Sequence, residues 1–253
     1  REVSEMLEKI GARSIDGLFS DIPEELKLKK RLALPESLSE PELVAELERI
    51  SGTNRADAVC FAGGGIYDHY VPAAVDHMLL RSEFYTAYTP YQPEISQGTL
   101  TAIFQYQTMI CELTGMDQAN ASMYDAATAS AEAAIMCASQ TGRKKVVITK
   151  ATNPRYRDVV KTYGAPRGFE VVEIPYDPKT GQTDEAKLAE AAKGAACVIA
   201  QNPNYFGVIE DMPALSEAAH SDGGLFVAVV NPVSLAVLEA PRNYGADIAV
   251  GEG

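Results

Sequence analysis

The chain has 253 residues, of which 46% are hydrophobic and 23% charged, with 19 Gly and 14 Pro; this excludes a disordered, fibrous or low-complexity polypeptide and suffices for one large domain or a domain plus an appended segment. Its net charge of −13 comes from Asp and Glu spread along the sequence, so its field repels nucleic acid and anionic lipid and the expected partners are small molecules and proteins. No apolar run approaches the roughly 20 residues that cross a bilayer, which predicts a cytoplasmic protein with no membrane contact.

Residues 1–56 carry helical signals: EMLEKI, then the Pro-bounded SDIPEELKLKK, then SEPELVAELERISG, where Ser39 is a plausible N-cap, Pro41 an early-turn residue and Gly52 a stop. They predict an N-terminal helical arm. Residues 57–98 break the periodicity with a stretch dense in Gly, Tyr, His and Pro, which is poor core material and good site material. From Gln97, apolar residues recur at helical spacing (Leu100, Ile103, Phe104, Met109, Ile110, Leu113) until Gly115, and a second helix over 126–140 starts near Asp125.

Apolar runs then alternate with helical stretches. Strands are predicted at 145–149, 169–174, 196–201, 225–230 and 247–250, with helices near 154–162, 183–192 and 212–220. The order implies βαβ crossovers, a mainly parallel sheet and a single α/β domain over 57–253. Ligands of such sheets sit beyond the C-terminal strand ends, which here are Lys150, Asn202–Asn204, Asn231 and Glu252. Cys60, Cys111, Cys137 and Cys197 lack the CxxC spacing of a metal or redox site and read as reduced core residues.

The candidate chemistry lies in the 57–98 stretch. Gly63, Gly64 and Gly65 permit a tight turn or an anion contact, or form a simple loop, and Tyr67, Asp68 and His69 follow. His69 is the best titratable candidate, with a structural histidine as the equal alternative; His77 and His220 read as structural. Tyr85, Tyr88 and Tyr91 stand in EFYTAYTPYQPE, where Pro90 and Pro93 favour an extended segment that presents phenols to a site or to a partner surface.

The runs GGGIYDHYVPAAVDHMLLRSEFYTAYTPYQPEISQG and TMICELTGMDQANASMYDAATASAEAA, with QNPNYFGVIED and ADIAVGEG, resemble subunit 1 of the glycine decarboxylases, the P-proteins of the glycine cleavage system. Members of that family continue well beyond residue 253. The resemblance implies a fold-type-I, PLP-dependent aminotransferase-like large domain, incomplete at its C-terminus. It also implies an oxidoreductase subunit active only with a homologous subunit 2, which holds the pyridoxal phosphate (PLP). In that assembly glycine loses CO2 and the aminomethyl group passes to the lipoyl arm of the carrier H-protein. The implied catalytic residues are Tyr67, His69, Tyr85 and Tyr91, and the implied cofactor-binding residues, from MYDAATASAEAA, are Tyr124, Asp125 and Thr128, with Ala126 where the family has Gly. No metal is implied.

The resemblance also locates what is missing. Where cofactor-bearing relatives carry an Asp for the pyridine nitrogen, this chain has Val230 or Val229, and where they carry the Schiff-base Lys it has GEG at 251–253. Asn202, Asn204 and Tyr205 fall near the ring position and read as a structural turn. The rival reading is a non-catalytic scaffold that stabilises subunit 2 and docks the lipoyl carrier. Alone, the chain is expected to form a homodimer through its Tyr- and Met-rich segment.

Overall fold

Apolar runs become strands here because both faces of the sheet are covered. In the structure, a computed structural model describing residues 1–61, 63, 64 and 69–253, five parallel strands form one sheet in the order β2-β1-β3-β4-β5. They are β1 (Lys145–Thr149), β2 (Glu170–Ile174), β3 (Ala195–Asn202), β4 (Leu225–Val230) and β5 (Ile248–Gly251). Alternate residues divide between two cores. Val146, Ile148, Cys197, Ile199, Val227 and Val229 face one side, and Val147, Val198, Ala200, Phe226, Ala228 and Val230 face the other.

Helices cover both sides. Helices α6 (Ala126–Thr141) and α7 (Pro154–Gly164) bury Ala131, Ala134, Cys137 and Val160 on the first face, while α8 (Glu185–Ala192) and α9 (Met212–His220) bury Leu188, Met212 and Leu215 on the second. Short side chains on α6 let it approach the strands closely. Each fully buried Leu, Val, Ile or Phe contributes roughly 1.5–3 kcal/mol before chain entropy is set against it.

Helix-period residues between Gln97 and Gly115 form α5 (Gln97–Thr114), and α3 (Ala73–Leu79) and α4 (Ser82–Tyr85) precede it. No helix is predicted between β4 and β5, and there Pro232 and Pro241 open 3₁₀ turns at Pro232–Ala236 and Pro241–Tyr244. Cys137 and Cys197 are buried as expected and Cys111 partly so, but Cys60 is exposed, since its neighbours belong to no packed element.

The chain divides into two units, Arg1–Val59 and Cys60–Gly253. In the first, α1 (Glu2–Ile10) and α2 (Glu40–Ser51) are helical, and the Glu42 carboxylate accepts hydrogen bonds from the Ser39 amide at 2.8 Å and hydroxyl at 2.6 Å, closing a capping box. The predicted helix over SDIPEELKLKK is absent: residues 20–30 make turns and coil. Lys27, Lys29 and Lys30 crowd like charges, and a stretch this short needs tertiary packing to hold a helix. No residue of 1–59 is buried.

One packing defect stands out in the second unit. Tyr244, only 8% exposed, stacks edge-on against Phe226 with ring centroids 6.4 Å apart, yet its hydroxyl has no hydrogen-bond partner among the described residues. Burial, and then the charge of Glu239, push the phenol well above its usual range. An unsatisfied buried hydroxyl costs about 1–3 kcal/mol. Tyr244→Phe is therefore expected to raise unfolding stability by about 1 kcal/mol in urea titration, with fluorescence or circular dichroism as the readout.

Candidate active-site cleft

Parallel α/β sheets bind ligands beyond the C-terminal strand ends, where the strand order reverses. Here the chain leaves β1 toward β2 and leaves β3 toward β4, so the reversal lies between β1 and β3. That crevice is bridged. The Tyr205 amide donates to the Ala151 carbonyl at 2.8 Å, and the Asn153 amide donates to Gln201 Oε1 at 2.7 Å.

Behind the bridge is a buried polar network. The Glu210 carboxylate accepts from the Thr183 amide at 2.9 Å, the Thr183 hydroxyl at 3.0 Å and Asn204 Nδ2 at 2.8 Å. Asn204 Nδ2 also donates to the Gly181 carbonyl, and Asn202 Oδ1 accepts from the Glu210 amide at 3.1 Å. Asn202 and Asn204 thus shape the turn, which agrees with their structural reading. The turn holds Tyr205 against Gly64, where an added Cβ would lie 3.0 Å from the phenol oxygen, so this glycine is needed for close approach.

The open space is displaced toward β4 and β5. A cleft of about 750 Å³ lies between α5, the N-terminus of α6 and those strand ends, lined among others by Tyr106, Tyr124, Asp125, Val230, Gly251 and Glu252. Asp125 caps α6: its carboxylate accepts from the Thr128 amide and the Thr128 hydroxyl, both at 2.7 Å. The amide bond first, and the hydroxyl second, hold this carboxyl below its ordinary range. Glu252 Oε1 accepts from the Ala126 amide at 3.0 Å and from the Tyr156 hydroxyl at 3.2 Å.

Of the sequence-predicted residues, Tyr124, Asp125 and Thr128 stand at this helix start, with Tyr124 92% exposed and Asp125 and Thr128 occupied with each other. His69, Tyr85 and Tyr91 are exposed and do not line the cleft as the chain stands, and Tyr67 lies outside the described residues. Tyr88 and Tyr91 pair with ring centroids 6.3 Å apart. His220, read as structural, bonds Asp247 Oδ2 at 2.7 Å. Sequence reasoning missed Tyr106 and Tyr156, whose only signals were a hydroxyl on an otherwise amphipathic helix. Among the described residues no group of His, Cys, Asp and Glu has the arrangement of a metal site.

The family model for the glycine cleavage system P-protein matches residues 1–253. The chain belongs to the glycine cleavage system P-protein family. The P-protein chain is 55% identical to the probable glycine dehydrogenase (decarboxylating) subunit 1 of Anoxybacillus flavithermus over 98% of its own length and 56% of that relative's. It is 54% identical to the protein of the same name from Carboxydothermus hydrogenoformans, over 100% of this chain and 57% of that one. It therefore spans a little over half the length of these relatives. A crystal structure of a glycine decarboxylase (P-protein) of the glycine cleavage system, in inhibitor-bound form, superposes with a TM-score of 0.87 at 44% identity, over 99% of this chain and 56% of that one. A sphingosine-1-phosphate lyase from Burkholderia pseudomallei, 15% identical with a TM-score of 0.54 over 81% of this chain and 50% of its own, shares the fold alone.

This is the fold of fold-type-I PLP enzymes, and the described residues around the cleft do not fit that cofactor. The β4 position that would face a pyridine nitrogen is Val230 or Val229, both buried and aliphatic. At the start of α6, where a phosphate would sit, the chain places two carboxylates of its own. Lys150 is exposed at the end of β1.

The Glu210 network carries a prediction of its own. Glu210→Ala strands three donors in a buried pocket and is expected to lower unfolding stability by about 3 kcal/mol or more. Glu210→Gln should lose less, because its amide oxygen still accepts. Equal stability of the wild type and the Ala variant in urea would mean that the turn is held by other means.

Proposed function

We propose that the protein is the cofactor-free subunit 1 of a two-subunit glycine decarboxylase, working in the cytoplasm with a homologous subunit 2 that holds PLP. The observation that carries this reading is the cleft itself, which keeps the place of a cofactor site but lines it with Val230 and Glu252, groups suited to neither a pyridinium nor a phosphate. The two subunits complete a site at their interface. There glycine is decarboxylated and its aminomethyl group passes to the lipoyl arm of the H-protein.

Three properties of the chain support this. The relatives' names denote a numbered subunit of a decarboxylating glycine dehydrogenase. The Tyr-rich segment after His69 exposes Tyr70, Tyr85, Tyr88 and Tyr91 at 76% or more, the aromatic surface that subunit interfaces bury. Gly64 and Tyr205 bring the start of that segment to the C-terminal side of the sheet. In this reading His69 and the phenols of Tyr67, Tyr85 and Tyr91 are offered to the partner's site, where they orient substrate and move a proton.

The full-length chain, co-expressed with its cognate subunit 2, is expected to exchange label between bicarbonate and glycine, and borohydride is expected to fix a phosphopyridoxyl group on subunit 2 alone. A stoichiometric adduct on a lysine of this chain would overturn the assignment. Tyr85→Phe or Tyr91→Phe should slow exchange by roughly 5- to 150-fold, equivalent to roughly 1–3 kcal/mol of lost transition-state contact, while the complex still assembles. Unchanged turnover in both variants would favour the scaffold reading.

Without subunit 2, the same exposed segment is expected to pair two copies of the chain into a dimer. Homologous subunits share interface geometry, and obligate interfaces bury roughly 2,000 Å² or more. Sedimentation at micromolar concentration checks this: a monomer that also fails to bind subunit 2 would show that the segment is not an interface.

A further inference from the structure

Three of the four amides that open α6 have acceptors within the chain. A helix of this length presents unpaired amides and a partial positive charge at its N-terminus, and here that end opens on a cleft at the C-terminal side of a parallel sheet. Such a place ordinarily receives a ligand's anion. In this chain the Thr128 amide goes to Asp125 Oδ1 at 2.7 Å, the Ala129 amide to the Asp125 carbonyl at 2.9 Å, and the Ala126 amide to Glu252 Oε1 at 3.0 Å.

Asp125 is local, a cap next to the helix it closes. Glu252 is not: it arrives from 126 residues away along the sequence. Strand β5 pairs with β4 in parallel as far as Gly251 opposite Val230, and Glu252 is the next residue, so the sheet delivers its carboxylate to the helix start. Gly251 allows this, because a Cβ there would run into the Val230 carbonyl oxygen. Tyr156, on α7, adds its hydroxyl to the same carboxylate oxygen at 3.2 Å. The carboxylate is thus held by three elements, α6, α7 and β5.

Building on the reading of this chain as the cofactor-free subunit, we infer that Glu252 is a built-in anion, seated on the N-terminus of α6 where a ligand's phosphate would bind, and that it closes the cleft to anionic ligands. With Asp125 it puts two negative charges on the first turn of the helix. A phosphate entering the cleft finds the Ala126, Thr128 and Ala129 amides taken and the Ala127 amide beside the Asp125 carboxylate, and it is repelled by both carboxylates. The loss of cofactor binding is then enforced by an occupant as well as by missing ligands such as an Asp on β4. Occupation also leaves the helix end satisfied, so the sheet keeps its shape with no cofactor bound.

The test uses the full-length chain and inorganic phosphate, followed by calorimetry and by thermal shift. Wild type is expected to show no saturable phosphate binding, and Glu252→Ala to gain it with affinity at least about tenfold higher. Glu252→Gln keeps the size and an acceptor oxygen but not the charge, and should gain a smaller increase; it serves if the Ala variant does not fold. Adding Ala126→Pro to Glu252→Ala removes the amide at a helix position that tolerates proline and should abolish the gain, which places the anion at α6. Wild type binding phosphate as tightly as the variants overturns the inference, and so does a folded Ala or Gln variant that ignores phosphate. A Schiff base on the wild-type chain would instead sink the cofactor-free reading, and the borohydride experiment detects that separately from any phosphate response.

Discussion

A parallel sheet buried on both faces has only its strand ends to offer to solvent and ligands, and most of this structure follows from that constraint. Because α6 and α7 cover one side and α8 and α9 the other, residues along the inner strands β3 and β4 are apolar whichever way they point, as in LFVAVV and ACVIA. On the C-terminal side polar groups gather where the strands stop: Thr149 at the end of β1 and Lys150 after it, Gln201 and Asn202 at the end of β3, Asn231 after β4 and Glu252 after β5. Each must find a partner or water. At β3 the partners belong to the turn, through Asn202, Asn204 and Glu210; at β5 they belong to two helices.

The same constraint decides what could be read from sequence. Strands and helices of the sheet region were legible because continuous apolar runs and 3.6-residue periodicity are local signals, and Asp125 as a helix start was legible because capping is local too. The 20–30 segment was not. Its Pro and Glu residues resemble a helix start, but no apolar face is buried by it, and the capping box at Ser39 and Glu42 succeeds next door because two side chains there close on adjacent backbone. The 3₁₀ connection between β4 and β5 escaped because its prolines set turns whose length depends on where β5 must dock.

Site residues divided along similar lines. Val229 and Val230 were recognisable as an apolar substitution at a position where related enzymes need a charge, since that comparison is made in register along one strand. Glu252 was singled out only as a strand-end position. Its partners, the Ala126 amide and the Tyr156 hydroxyl, lie 126 and 96 residues away, and nothing in the residue types announces the contact. Backbone donors are invisible in sequence, and a helix N-terminus becomes a site or a closed end only according to what the fold brings to it.

The two halves of the sheet's C-terminal edge have therefore taken different routes. Between β1 and β3, where ligands of such folds enter, Tyr205 and Gln201 knit the strand ends together and the Glu210 network stiffens the turn above them. Between β4 and α6 a cleft survives, but its charge is inverted relative to what a phosphate requires. A surface that keeps the shape of a ligand cleft while satisfying its own donors retains the packing of the fold. The aromatic segment from Tyr70 to Tyr91 carries polar hydroxyls on apolar rings and leaves Tyr70, Tyr85, Tyr88 and Tyr91 uncovered.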